Sequence, residues 1–334
     1  MNDRALPADA VPTTAAPAAP AEPHWELGPI VDQLRQVRTG WRQARLRNHE
    51  CGGREFPSRQ RLREILQQFC AALFPMRLGP ADLRLESEDF FVGHTLDIAL
   101  SGLHEQVRRE LAYNARHDPQ RGAGATEQRA IDIVQQFARA LPAIRSRLDT
   151  DVEAAYHGDP AALSVDEVLL CYPGILAIIY HRLAHTLYRL GVPLVARIVA
   201  ELAHSETGID IHPGASIGGS FFIDHGTGVV IGETAVIGER VRIYQAVTLG
   251  AKRFPAGADG TLQKGLPRHP LVEDDVVIYA GATILGRVTI GRGSVIGGNV
   301  WLTRGVPPGS NITQASSRHE EAAPPAAPSG SASC

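Results

Sequence analysis

The sequence predicts an α+β protein, an N-terminal all-α helical domain followed by a parallel β-helix of hexapeptide repeats. Two observations carry this. From Trp25 to about Glu206 the apolar residues recur at i, i+3 and i+4; after Gly208 they recur every six residues. A period of six fits neither a helix nor a two-residue strand alternation. It fits a solenoid in which each short strand sends one aliphatic side chain to the axis and small residues turn the corner.

In the first half, Leu62, Ile65, Leu66, Phe69 and Leu73 mark one helix, and Ile144, Leu148 and Val152 another. Ile179, Leu183, Leu187 and Leu190 continue the pattern up to Gly191; Pro193 opens a further helix carrying Val195, Ile198, Val199 and Leu202. Residues 116–128, with Pro119, Gly122 and Gly124, read as a loop. The run VLLCYPGILAIIY is broken by Pro173 and followed by His181 and Arg182. It is too short and too soon charged to span a bilayer, and reads as a buried helix.

In the second half the six-residue series runs Ile211, Ile217, Ile223, then Ile231, Ile237, Ile243, Leu249, then Val272, Ile278, Ile284, Ile290, Ile296, Leu302. Four residues after most of these sits a small or β-branched residue, such as Ala215, Thr227, Ala235 and Val241, with Phe221 the bulky exception. Three hexapeptides make one triangular coil, so residues about 18 apart stack, and coils must stack on one another to bury the core.

The length of 334 residues suits two domains, assigned here to 25–206 and 207–314. Residues 1–24 are Ala/Pro-rich without the apolar core of a secretory signal; they and 315–334 read as disordered tails. A net charge of -3 leaves no electrostatic footprint for nucleic acid. The four scattered cysteines (Cys51, Cys70, Cys171, Cys334) form no CxxC pair, which points to a reduced cytoplasmic protein without disulfides or a zinc ribbon.

The hexad rhythm breaks twice. Two extra residues fall in DHGTGVV, and a Gly/Pro-rich excursion runs from about Arg253 to His269. Long loops on rigid scaffolds carry function, and these breaks hold His225 and His269.

The phrases DIHPGASIG, IDHGTGVVIGETAVIG, VTLGAK and RHPLVEDDVVIYAGATILG resemble the serine O-acetyltransferase family, over about Asp159 to Gln314. That family belongs to a superfamily of left-handed hexapeptide β-helices. The resemblance implies transfer of acetyl from acetyl-CoA to the L-serine hydroxyl, the first step from serine to cysteine. It makes His225 the base, with Asp210 holding the imidazole ring and stabilising its protonated form. Stacking agrees: one coil of about 18 residues from Asp210 lands at Gly228, three residues from His225. Asp159, Asp224, Arg268 and His269 match substrate positions. Arg268 would fork onto the serine carboxylate, the two aspartates would meet the ammonium, and His269 would orient the serine or assist the oxyanion. Gly250, Ala251 and Lys252, with Gly281, Ala282 and Arg287 a coil further on, match the acetyl-CoA groove; Lys252 or Arg287 would meet phosphates. That groove runs between adjacent β-helices of a trimer, so at least a homotrimer is expected, with a hexamer the larger alternative. No metal is expected. Feedback inhibition by cysteine at the serine site follows from the same resemblance. Relatives that pair with the cysteine-forming sulfhydrylase end in isoleucine, whereas this chain ends SGSASC, which argues against a stable complex of that kind.

Plainer roles fit several of these residues. Asp159 before Pro160 suits a helix N-cap, and His212 before Pro213 suits solenoid surface. His181, His185 and His204 fall on helical segments as packing or surface groups, and Lys252 and Arg287 suit solvated positions equally. Three other readings of the whole chain stand beside the first. They are a hexapeptide acetyltransferase acting on a sugar or antibiotic, a γ-class carbonic anhydrase, and a non-catalytic scaffold. The second needs two histidines five apart in one coil, and none lies between His225 and His269.

Overall fold

A computed structural model describes residues 25–44, 56–117, 124–253, 257 and 260–314. The tails expected at 1–24 and 315–334 lie outside the described residues. The chain divides into two units, Met1–Gly53 and Arg54–Cys334. In the first, α1 (Leu27–Ala44) is an amphipathic helix with no buried residue. The second unit holds the other described helices and strands around one continuous apolar core.

The helices of this unit are α2 (Arg59–Leu73), α3 (Pro75–Leu78), α4 (Glu88–His117), α5 (Gly124–Gly158), α6 (Val165–Cys171), α7 (Pro173–Arg189) and α8 (Pro193–Thr207). Leu62, Ile65, Leu66 and Phe69 of α2 are buried as their spacing requires. Of the loop expected over 116–128, residues 116–117 end α4 and 124–128 begin α5, while 118–123 lie outside the described residues. The apolar run is a bent pair, α6 and α7 meeting at 74° across Tyr172, and most of α7 is buried in the core. Among the described residues no single helix is long and apolar enough to cross a membrane.

Among the described residues fourteen short strands, β1 (Asp210–Ile211) to β14 (Asn311–Ile312), form three parallel sheets. Sheet A stacks β1, β4, β7, β10 and β13; sheet B stacks β2, β5, β8 and β11; sheet C stacks β3, β6, β9, β12 and β14. The chain visits A, B and C in turn, which is a parallel β-helix of triangular section. All thirteen aliphatic positions of the six-residue series are at most 5% exposed. Each such burial contributes about 1.5–3 kcal/mol.

The register locates both breaks. Asp210 pairs with Val230, 20 residues on, whereas Val230 pairs with Thr248, 18 on. Val236 then pairs with Leu271, 35 on, because the excursion adds 17 residues to a coil of 18. The first insertion also overturns one inward position. Thr227 is exposed, and Val229, two residues later, takes its place in the core.

The helices are welded to the first coil by a buried ion pair. Arg182 of α7 meets Asp151 of α5 through two bonds of 2.7 Å. Arg182 also donates to the Ile217 and Gly218 carbonyls, and Asp151 accepts from the Phe221 N–H. Burial pushes the Asp151 carboxyl up, against the pull of the guanidinium.

Candidate active site

The predicted residues gather at two edges of the prism, either side of sheet A. His225 and Asp224 follow β3 (Phe222–Ile223) of sheet C, at the C–A edge. Arg268 and His269 precede β8 (Leu271–Val272) of sheet B, at the A–B edge.

At the C–A edge the inserted residues make the turn. His225 is left-handed (φ +59°) and is followed by Gly226 (φ +94°), a conformation that costs little only for glycine. The turn throws the imidazole outward: its side chain is 69% exposed, with Nε2 3.8 Å from Asp224 Oδ1. Asp224 is buried, and its Oδ2 accepts from Arg242 at 3.0 Å. Arg242 lies over the rings of Phe222 and Tyr244.

The helices bring the second carboxylate here. The end of α5 at Gly158 meets Phe222 and Arg242, and Gly174 at the start of α7 touches the Ile223 backbone. Asp159 and Tyr172 are thereby delivered beside β3. Asp159 Oδ2 accepts from the Tyr172 hydroxyl at 2.6 Å. That bond is the main cause of a lowered Asp159 pKa, and it pushes the Tyr172 phenol up to about 12. Asp159 Oδ1 also accepts from the Ala161 N–H at 2.9 Å, but it closes a turn and caps no helix; Ser164 caps α6. Arg242 and His225 both act electrostatically on Asp159, so Asp159, Tyr172, Asp224, Arg242 and His225 form one polar cluster.

Asp210, at the start of β1 on the adjoining coil, is half-buried. Among the described residues no hydrogen bond or ion pair joins it to His225; its carboxylate lies beside Glu201 and His204. The 20-residue first coil sets Asp210 opposite Val230, five residues beyond His225, rather than opposite Gly228.

At the A–B edge, His269 is buried against the backbone of Gly232, where a Cβ would coincide with its ring. Its Nδ1 accepts the Thr234 backbone N–H at 3.0 Å. Thr234 Oγ1 accepts the N–H groups of both Arg268 and His269. Burial first, then Arg268 and Arg287, push the His269 pKa down to about 4. Arg268 donates to Glu233 Oε2 at 2.7 Å, and Glu233 also accepts from the Tyr188 hydroxyl at 2.9 Å. Partial burial of Glu233 is outweighed by those two bonds, and its carboxyl is held below the usual range.

Gly250, Ala251 and Lys252 leave β7 at the same edge, and Arg287 leaves β10 there. Arg287 donates to the carbonyls of Thr234 (2.6 Å) and His269 (3.1 Å). A cavity of about 380 Å³ is lined by Lys252, Arg253, Arg268 and Arg287 with Leu266 and Leu285. Its four cations on an apolar floor suit a phosphorylated, partly apolar ligand. Gly281 and Ala282 instead precede β10, at the C–A edge, and the Ala282 side chain is fully buried, leaving only its backbone to a ligand.

Sequence reasoning missed Tyr172, Arg242, Glu233 and Thr234. Arg242 was findable, since it lies 18 residues, about one coil, beyond Asp224.

The chain is similar to known proteins. The bacterial transferase hexapeptide family (six repeats) matches residues 269–304. A plasmid serine acetyltransferase of Synechococcus elongatus is 58% identical over 300 residues, 89% of this chain and 93% of that protein.

The chain belongs to the serine acetyltransferase family.

The family is one of acyltransferase enzymes on a left-handed parallel β-helix. The serine acetyltransferase of Mycobacterium tuberculosis is 50% identical over 162 residues, 48% of this chain and 67% of its own length. Among solved structures, serine acetyltransferase 1 of Entamoeba histolytica in complex with L-cysteine aligns with a TM-score of 0.64 and 39% identity. The alignment covers 74% of this chain and 85% of that one.

Proposed function

We propose that the chain transfers acetyl from acetyl-CoA to the hydroxyl of L-serine, giving O-acetyl-L-serine and CoA. The observation that carries this reading is the pairing of an exposed imidazole with two fixed carboxylates at one edge of sheet A and a basic cavity at the other. Asp159 and Asp224 meet the serine ammonium; Arg268, sharing its fork with Glu233, meets the carboxylate. His225 takes the hydroxyl proton as the serine oxygen attacks the thioester carbonyl, and Asp210 swings to the imidazolium to stabilise it. The tetrahedral intermediate collapses by breaking the C–S bond, and His225 returns its proton to the CoA sulfur. His269 donates a hydrogen bond to the developing oxyanion. Acetyl-CoA lies along Gly250, Ala251 and Lys252, with Lys252 and Arg287 toward its phosphates, and meets the backbone at Gly281 and Ala282 of a neighbouring chain.

The two edges are opposite sides of one sheet, so a complete site forms where the C–A edge of one chain faces the A–B edge of the next. Three prisms about a threefold axis close that arrangement as a homotrimer, and the helical halves can join two trimers into a hexamer. Cysteine shares the ammonium and carboxylate of serine, so the same grip admits it as a feedback inhibitor. The free thiols Cys70 and Cys171 support a cytoplasmic setting.

The test is CoA release from acetyl-CoA with and without L-serine, with glucosamine and chloramphenicol as comparison acceptors. Serine-dependent release supports the assignment; release only with a sugar or antibiotic acceptor overturns it.

A further inference from the structure

Glu201 and His204 lie three residues apart toward the C-terminal end of α8, and Asp210 opens β1 just past the Gly208 cap. Spacing of three places the first two on one helix face. Ligand atoms of Glu201, His204 and Asp210 all lie within 4.8 Å of one another. Glu201 divides its oxygens: Oε1 accepts from Arg197 at 3.3 Å, and Oε2 lies 3.7 Å from His204 Nδ1. Among the described residues no lysine or arginine pairs with Asp210. The carbonyl end of α8 adds partial negative charge at the same place.

Two carboxylates and an imidazole form a donor set suited to zinc, with a fourth position left for water. Zinc bonds of about 2.0–2.2 Å put neighbouring ligand atoms about 3–4 Å apart, a contraction that rotation of the exposed His204 side chain supplies.

We propose that Glu201, His204 and Asp210 form an inhibitory zinc site. Zinc holds the Asp210 carboxylate on the α8 side, away from the His225 imidazole. It also adds positive charge on the edge where His225 must become cationic. The inhibitory half of this proposal rests on the assignment of Asp210 as the partner of His225.

The experiment titrates the full-length, tag-free chain with zinc against a chromophoric indicator, and repeats it with His204→Ala and Glu201→Gln. One zinc per chain is expected, with each substitution weakening binding at least about tenfold. Cobalt in its place should show d–d bands without a thiolate charge-transfer band, which excludes the cysteines. At indicator-buffered free zinc, serine-dependent CoA release by the wild type should fall severalfold and recover with EDTA. His204→Ala should resist zinc while keeping the zinc-free rate. Equal zinc affinity in wild type and His204→Ala, or binding without inhibition, overturns the proposal. Loss of His204-dependent binding leaves the acetyl-transfer reading standing. Absence of serine-dependent release from the zinc-free chain removes that reading and leaves the binding result intact.

Discussion

His269 Nδ1 accepts the backbone N–H of Thr234 at 3.0 Å. A backbone amide is always the donor, so the neutral ring carries its proton on Nε2. With its pKa pushed down to about 4, His269 is a neutral hydrogen-bond donor at neutral pH and is unsuited to be the base. The proposed reaction therefore assigns proton transfer to His225, whose side chain is 69% exposed.

The His269 ring lies on Gly232, and any side chain there must displace it. Gly232→Ala should lower kcat/KM about 10²-fold, the penalty of misplacing a reacting group by about an ångström. Steady-state kinetics, with circular dichroism to confirm the fold, check this. Unchanged kinetics would remove His269 from the reaction.

Tyr172→Phe deletes the 2.6 Å bond to Asp159 and nothing else of the cluster. A hydrogen bond to a charged group is worth about 1.5–3 kcal/mol, so KM for serine should rise about ten- to a hundredfold. KM for acetyl-CoA should stay constant. An unchanged serine KM would place the ammonium elsewhere.

Acid should weaken the fold through its buried histidines. Burial lowers the pKa of His181 and His185, and takes His212 and His269 from near 6.5 to about 4. Between those values the unfolded chain binds more protons than the native one, so stability falls as pH drops from 6.5 to 4 and is full above 6.5. Thermal melts across this range should show a falling Tm, and His212→Asn should flatten the slope. A Tm that holds steady from pH 7 to 5 would contradict this.

Arg182→Leu leaves the Asp151 carboxylate buried without its counterion. Losing one partner of a buried pair costs about 3–5 kcal/mol. Urea unfolding should show that loss, largely recovered in the Arg182→Leu/Asp151→Leu double variant. A cost below 1 kcal/mol would mean the pair is not what joins helices to solenoid.

The solenoid was readable because its period directly encodes which residue points inward: one aliphatic every six, all thirteen in the core. Both breaks were readable as lost phase, though not their effect on stacking. The 20-residue first coil exposes Thr227, buries Val229 and shifts Asp210 away from Gly228. The sequence singles out His225, Asp224 and Asp159, which the structure brings together, but neither Tyr172 beside them nor Glu233 at the A–B edge. Their roles arise from contacts across 13 and 35 residues that no local pattern marks. Asp159 was legible as a cap, but what it closes is a turn.

The division of the site between two edges of sheet A is tested by complementation. His225→Ala and Arg268→Ala chains, each inactive alone, are coexpressed and purified as mixed oligomers. If neighbouring chains supply the two halves, about a quarter of the sites in random trimers are intact, and serine-dependent CoA release returns to about that fraction of the wild-type rate. Mixed oligomers as inactive as either parent would show that one chain supplies both residues.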